Sequence, residues 1–263
     1  MTIRISHQTT RSAGFALVAF FIAYQPIHAG DLQIYTDENP PVNFSRDGKI
    51  TGVASEVVAE IQRRTGSHAQ IHILPWARGF QTALATADVG LYPTMRSKER
   101  EHLFKWVGPI LTVTTGFYAK SDNPLQIKSM AEAKSSSPIL VPRLYYSQEY
   151  LLSQGFTNLE PVDNPEIMMH MFIAGRRAII VNDNLTLEVL LEKFGAKKQD
   201  VHLLYSFLKS NAYIAFSNGT SDEVVQQWQS ALNDMKRDGT FAKLYQSWLP
   251  GEIPPGINPD LQP

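Results

Sequence analysis

The chain has 263 residues, 24 of them basic and 25 acidic, and it contains no cysteine. That length suffices for one large domain or for two lobes with separate cores. The missing cysteine excludes disulfides, thiolate metal sites and a cysteine-borne lipid anchor, and the near-neutral charge argues against nucleic acid or an anionic membrane surface as partner.

The N-terminus has the three-part form of a secretory signal. A polar stretch with Arg4 and Arg11 is followed by an apolar run from Ala13 to Tyr24 and by Pro26-Ile27-His28-Ala29, with alanine at the expected cut. The run is shorter than the ~20 residues of a membrane span. Cleavage after residue 29 takes the basic count from 24 to 22 against 25 acids, leaving a charge of about −3. The mature chain is expected to be soluble, exported and periplasmic.

Leu32–Tyr35 reads as a strand and Thr36–Pro41 as a polar loop stiffened by two prolines. Asp47-Gly48 marks a hairpin over Phe44–Lys49. Ser55 is expected to cap a helix with Val57, Val58 and Ile61 on one face, stopped by Gly66. Gln70–Leu74 alternates like a strand, Arg78–Thr86 reads as a helix and Val89–Tyr92 as the next strand. A helix is expected from Ser97 or Lys98. It would set Arg100 beside a helix N-terminus, where a guanidinium fork and free N–H groups suit a carboxylate.

Leu111–Ala119 reads as an extended crossing, after which a second alternation begins. Strands are expected at Pro138–Val141, Leu159–Val162 and Ala178–Val181, with two separate strands at Val201–Tyr205 and Ala212–Phe216. Helices are expected at Ser147–Gln154, after the Asn164 cap, and at Leu185–Phe194. The tail carries a helix with Val225, Trp228, Leu232 and Met235 on one stripe, then a shorter one ending before Pro250. Two α/β halves of this kind place strand ends, where ligands bind in open α/β sheets, on both sides of one cleft.

Several runs in this order resemble the extracytoplasmic solute-binding proteins of the polar amino-acid type, family 3, which serve ABC transporters. They are Tyr35–Pro41, Gly48 with Gly52, Ser97–Arg100, Gly175–Asp183 and Lys236–Thr240. The resemblance covers nearly all of the mature chain. It implies a two-lobed periplasmic-binding-protein-like type II α/β fold with two hinge strands, crossing near Thr112 and returning near Ser217. Residues 1–29 would be the signal peptide, 30–111 and 218–263 lobe 1, and 112–217 lobe 2.

The resemblance also implies a two-point clamp on a free amino acid. Arg100 would take the α-carboxylate and Asp183 the ammonium, with Asp37 and Trp76 at the mouth of the first-lobe pocket. Ser147 is expected as a helix cap facing the ligand, and Arg78 and Arg96 as extra cations near the carboxylate. Val42 stands where the family usually has an aromatic, Ser97 where it has threonine, and Ala178 where it has aspartate. Without the resemblance, Arg100 also reads as a surface arginine paired with Glu99 or Glu101, and Asp183 as a plain helix cap. The partners implied are a small polar or amino-acid-like ligand and a membrane permease. The chain is expected to be a monomer, with no cofactor, metal site or catalytic residue.

An enzyme on this scaffold is the competing class, since some relatives of the scaffold dehydrate prephenate or arogenate. Asp37 or Glu38 would then serve as general acid. The sequence carries no Gly-x-Ser-x-Gly, phosphate loop or dinucleotide glycine run. A periplasmic sensor without transport duty is a close variant of the binder.

Overall fold

The computed structural model describes residues 32–257. The expected signal segment lies outside these residues. One 8-stranded sheet runs through the molecule in the order β4-β1-β5-β10-β6-β9-β7-β8.

The first half contains β1 (Gln33–Thr36), the hairpin β2 (Phe44–Arg46) and β3 (Lys49–Thr51), α1 (Val53–Thr65), β4 (Gln70–Ile73), α2 (Trp76–Ala85) and β5 (Val89–Met95). β1 pairs in parallel with both β4 and β5, as the alternation predicts. Asp47 and Gly48 both take positive φ at the hairpin turn, the backbone a two-residue loop of this kind needs. The cap of α1 is Gly52, not Ser55. The carbonyls of Pro41 and Val42 accept from Val53 N and Ala54 N at 3.2 and 2.9 Å, so the loop backbone satisfies the first free N–H groups. Ser55 is instead buried within the helix, where its Oγ accepts from the Tyr92 hydroxyl at 3.1 Å.

No α-helix starts at Ser97 or Lys98. A turn closed by Arg100 N on Ser97 O leads into a single 3-10 turn, Glu101–Leu103. The reason is the strand that follows. β6 (Phe104–Lys120) is already paired to β10 (Val201–Ser217) at Phe104, which leaves no length for a helix.

β6 and β10 each run 17 residues and pair antiparallel from Phe104 opposite Ser217 to Lys120 opposite Val201. The two short strands expected at 201–205 and 212–216 are therefore one. The stretch between them, Ser206–Asn211, stays extended because β6 supplies its backbone partners; Phe207 packs on Phe117 and Tyr150, while Ser206, Lys209 and Asn211 face solvent. Near the middle, Thr112 is opposite Asn211, and the Thr112 hydroxyl donates to Asn211 Oδ1 at 2.7 Å. Beyond Asn211 the strand also pairs with β5 of the first half, from Ala212 opposite Met95 to Phe216 opposite Gly90.

The second half holds α3 (Met130–Lys134), β7 (Ile139–Pro142), α4 (Tyr146–Ser153), β8 (Leu159–Val162), α5 (Pro165–Ile173), β9 (Ile179–Asp183) and α6 (Leu187–Lys193). β7 pairs in parallel with β8 and β9, and β9 runs antiparallel to β6. Asn164 caps α5 by accepting from Ile167 N, with Pro165 in the first turn.

The chain then returns to the first half as α7 (Asp222–Arg237), capped by Ser221, and α8 (Thr240–Trp248). Trp228, Leu232 and Met235 enter the same core as Ile34, Val57, Ile61, Phe216 and Tyr245. Truncating a buried tryptophan such as Trp228 costs about 3–5 kcal/mol. Separate clusters around Met168, Phe172 and Leu191, and around Phe117, Leu151 and Ile179, fill the two faces of the other half.

Candidate functional site

Arg100 ends the turn after β5, in the cleft between the two halves. It is 2% exposed, and its guanidinium carbon lies 4.9 Å from the Phe80 ring centroid and 5.9 Å from that of Trp76. Nε donates to Glu149 Oε2 at 2.9 Å. Nη2 comes within 2.8 Å of the same oxygen but does not aim a proton at it, and Nη1 is buried without a hydrogen-bond partner. A buried cation with unused donors is the strongest polar feature of the cleft, because such groups are costly unless satisfied.

Arg100 lines a cavity of about 60 Å³. Its walls include Asp37, Trp76, Met95 and Arg100 from one side and Tyr145, Tyr146 and Asp183 from the other. The volume holds a few water-sized groups and is closed by direct contacts across the cleft. The Tyr145 hydroxyl donates to Asp37 Oδ2 at 3.1 Å, and the Trp76 indole N–H donates to Leu144 O at 3.2 Å. Leu144 holds a positive φ of 61°, a backbone region that leucine enters rarely. The Gln148 side chain braces it by accepting from Leu144 N at 2.6 Å.

Asp37 follows β1, with Oδ1 accepting from Asn43 Nδ2 at 2.8 Å. Burial raises its pKa above the ordinary carboxylate value, opposed by the hydrogen bonds from Asn43 and Tyr145. Asp183 ends β9. One of its oxygens accepts from Leu185 N and Thr186 N at 2.9 and 3.0 Å, and the other from the Thr186 hydroxyl at 2.8 Å. It therefore organises the turn into α6 as well as facing the cavity. Burial raises its pKa too, against those same donors. Burial also holds both tyrosines in the neutral form, with the Tyr145 and Tyr146 hydroxyls pushed above their ordinary value.

Four of the residues named from the sequence (Asp37, Trp76, Arg100 and Asp183) thus line one cavity. Trp76 opens helix α2 rather than sitting in a loop before it. Ser147 is buried in the first turn of α4, where Tyr145 occupies the cap position without a side-chain bond. Ser147 lines a smaller neighbouring space of about 20 Å³ with Asn182 and Asp183.

Arg96 and Arg78 are placed elsewhere. Arg96 makes a two-pronged pair with Glu101 at 2.7 and 2.6 Å and lies over the Trp106 and Tyr213 rings. Its charge is already matched outside the cavity. Arg78 is exposed on α2 and is not among the cavity walls.

Sequence reasoning missed Glu149 and set no role for Tyr145 or Tyr146. The pair of tyrosines directly before a helix was the available signal. Glu149 offers none, since one acid in an amphipathic helix looks like a solvated surface residue.

A larger cavity of about 770 Å³ adjoins the first and shares Asp37, Asn39, Trp76, Tyr145 and Thr186 as walls. It adds Glu38, Asp163 and Glu166 as acids and Arg143 and Lys193 as bases.

Comparison with known proteins agrees with this architecture. The L-cystine-binding protein TcyA of Bacillus subtilis (strain 168) is 25% identical over 205 residues, covering 78% of this chain and 75% of that protein. An ancestral arginine-binding protein, solved with arginine, superposes with a TM-score of 0.72 at 19% identity over 83% of this chain and 97% of that one. A histidine kinase sensor domain with similarity to periplasmic binding proteins gives a TM-score of 0.76 at 17% identity, covering 86% and 98%. The shared fold is the two-lobed periplasmic-binding-protein type, and the matching family and the cystine-binding relative are solute-binding proteins, not enzymes. Residues 32–251 match one family over most of the chain, and the protein belongs to the bacterial extracellular solute-binding proteins, family 3.

Proposed function

We propose that the chain captures a free amino acid between its lobes, outside the cytoplasm, and presents it to the permease of an ABC transporter. The observation that carries this reading is the buried Arg100 guanidinium with an unused Nη1 at a cavity whose opposite wall holds Asp183. A carboxylate fits the free edge of the fork, and an ammonium fits an aspartate that pairs with no base among the described residues. The names of TcyA and of the arginine-binding protein support an amino acid as the class of ligand.

In this reading residues 30–111 and 218–263 form one lobe and 112–217 the other, with Ala212–Ser217 packed on the first lobe's sheet. The lobes part about β6 and β10, ligand docks on Arg100 and Trp76, and closure brings Asp183 and the start of α4 onto it. Ligand drives closure because only the closed state touches it from both sides.

A thermal-shift screen of free amino acids and dicarboxylates tests the capture step. A ligand at a hundred times its Kd adds about 2.7 kcal/mol to the stability. No shift with any amino acid would refute the reading, and turnover of prephenate or arogenate would move the protein to the enzymes. A sensor without transport duty shares the capture step. Loss of uptake of the identified ligand in a deletion strain separates transport from sensing.

A further inference from the structure

Three carboxylates and one guanidinium meet at the closed cleft. Asp37 and Asp183 line the cavity together with Arg100, and Glu149 reaches Arg100 from α4. Neither aspartate has a basic partner among the described residues. Asp37 accepts from Asn43 and Tyr145, and Asp183 from Leu185 and Thr186, all of them neutral donors. Glu149 takes up the Arg100 charge on the Nε side and leaves the Nη1 donor free. Two carboxylates on the cavity wall and the partly exposed Glu149 thus outnumber the one guanidinium, and the excess negative charge is costly for the two aspartates until a cation enters.

A zwitterionic ligand does not correct this imbalance. Its carboxylate goes to the free edge of Arg100 and its ammonium to Asp183, and Asp37 remains unmatched. We propose that Glu149 is a specificity-determining residue. By neutralising Arg100 from the opposite wall, it makes the closed site prefer an amino acid with a second cationic group, held near Asp37, over neutral amino acids. This inference rests on the amino-acid reading above. The adjoining larger cavity fits it, because Asp37 is a wall of both. There Lys193 is already paired with Glu166 at 2.6 Å and Arg143 lies 3.6 Å from Asp163. Glu38 accepts from Ser45 and has no base beside it among the described residues. A side chain leaving past Asp37 thus meets a further unmatched acid.

Calorimetric titration at neutral pH tests the idea, with arginine, lysine, glutamine and glutamate on the parent, Glu149→Gln and Glu149→Asp. The parent is expected to bind arginine or lysine at least about tenfold more tightly than glutamine. Glu149→Gln should narrow that ratio and improve glutamate relative to arginine, while Glu149→Asp should keep the parent's order. Equal affinity of the parent for glutamine and the basic amino acids overturns the proposal. So does a Glu149→Gln effect that is the same for all four ligands. Uniform weakening would make Glu149 a closure contact only, and uniform tightening would make it a competitor that ligand displaces. If the parent binds none of the four, the wider thermal-shift screen shows whether another amino acid binds or the capture reading itself falls; in either case the charge preference falls too.

Discussion

Arg100 Nε lies 2.9 Å from Oε2 of Glu149, 49 residues further along the chain and on the facing wall of the cleft. One side chain is nearly fully buried, and the other is 39% exposed. A guanidinium has two usable edges, and this contact takes one while Nη1, on the other, has no partner. Replacement of Arg100 by lysine keeps the charge and removes the fork. The expected loss is about 2 kcal/mol of ligand affinity, roughly thirtyfold, read by calorimetry with the ligand found in the screen. Retained affinity in Arg100→Lys would show that the carboxylate binds elsewhere.

The Tyr145 hydroxyl closes on Asp37 across the same cleft. In Tyr145→Phe the ring stays and the hydrogen bond goes, so the closed state should weaken by about 1 kcal/mol. Small-angle scattering of the ligand-free protein should then report a larger radius of gyration, and ligand affinity should fall about fivefold. An unchanged radius with unchanged affinity would mean the contact does not bias closure.

Asp37 predicts a pH dependence of definite sign. Its carboxyl holds a proton more tightly in the folded protein than the unfolded value of 3.8, because burial disfavours the anion. The cost to the fold is present in full above the folded pKa. It disappears as pH falls through that value toward 3.8. Asp37→Asn should therefore melt higher than the parent at neutral pH without ligand, and the difference should shrink on acidification. The ion-paired Glu60, held at about 2 by Arg63 and Arg64, titrates alike in both proteins and drops out of the comparison. A difference that grows as pH falls would reverse the assignment.

Gly52 sets the approach of the Thr36–Pro41 loop to helix α1. Its φ is 107°, and a Cβ there would sit 2.5 Å from the Val42 carbonyl oxygen and 2.8 Å from that of Pro41. Those carbonyls cap the helix, so they cannot retreat without freeing its first N–H groups. Gly52→Ala should cost about 3 kcal/mol or more, combining backbone strain with the clash. Gly48→Ala, with an unfavourable φ but open space around it, should cost about 1 kcal/mol. Urea unfolding of both variants gives the ranking, and equal losses would mean the clash is absorbed.

The alternation of strands and helices was legible because each half uses parallel neighbours joined by amphipathic helices, and both signals are local. Arg100 and Asp183 were named because the family resemblance pointed to them, and both line one cavity; their own surroundings in the sequence fit a paired surface arginine and a helix cap as well. Glu149 was not, because its role comes from closure and not from its own helix. Arg96 misled because arginine chemistry is the same in any setting. Only the fold shows that Glu101 already holds it and that Trp106 and Tyr213 flank it. The length of β10 was hidden by its polar middle, whose partner strand begins almost a hundred residues earlier.

The core that unites Ile34 and Val57 with Trp228 and Tyr245 has a consequence for the order of assembly. The strands and helix at the beginning of the chain bury their apolar faces against helices at its end. Until α7 and α8 have been synthesised, β1, α1 and β5 have nowhere to hide these faces. The half around Phe172 and Ile179 is built from one continuous stretch, from the later part of β6 to the earlier part of β10, and has no such delay. Long sequence separation slows the closing step, so the half that is begun first is completed last. An incomplete chain lacking only its last helices would expose the largest apolar surface of the molecule.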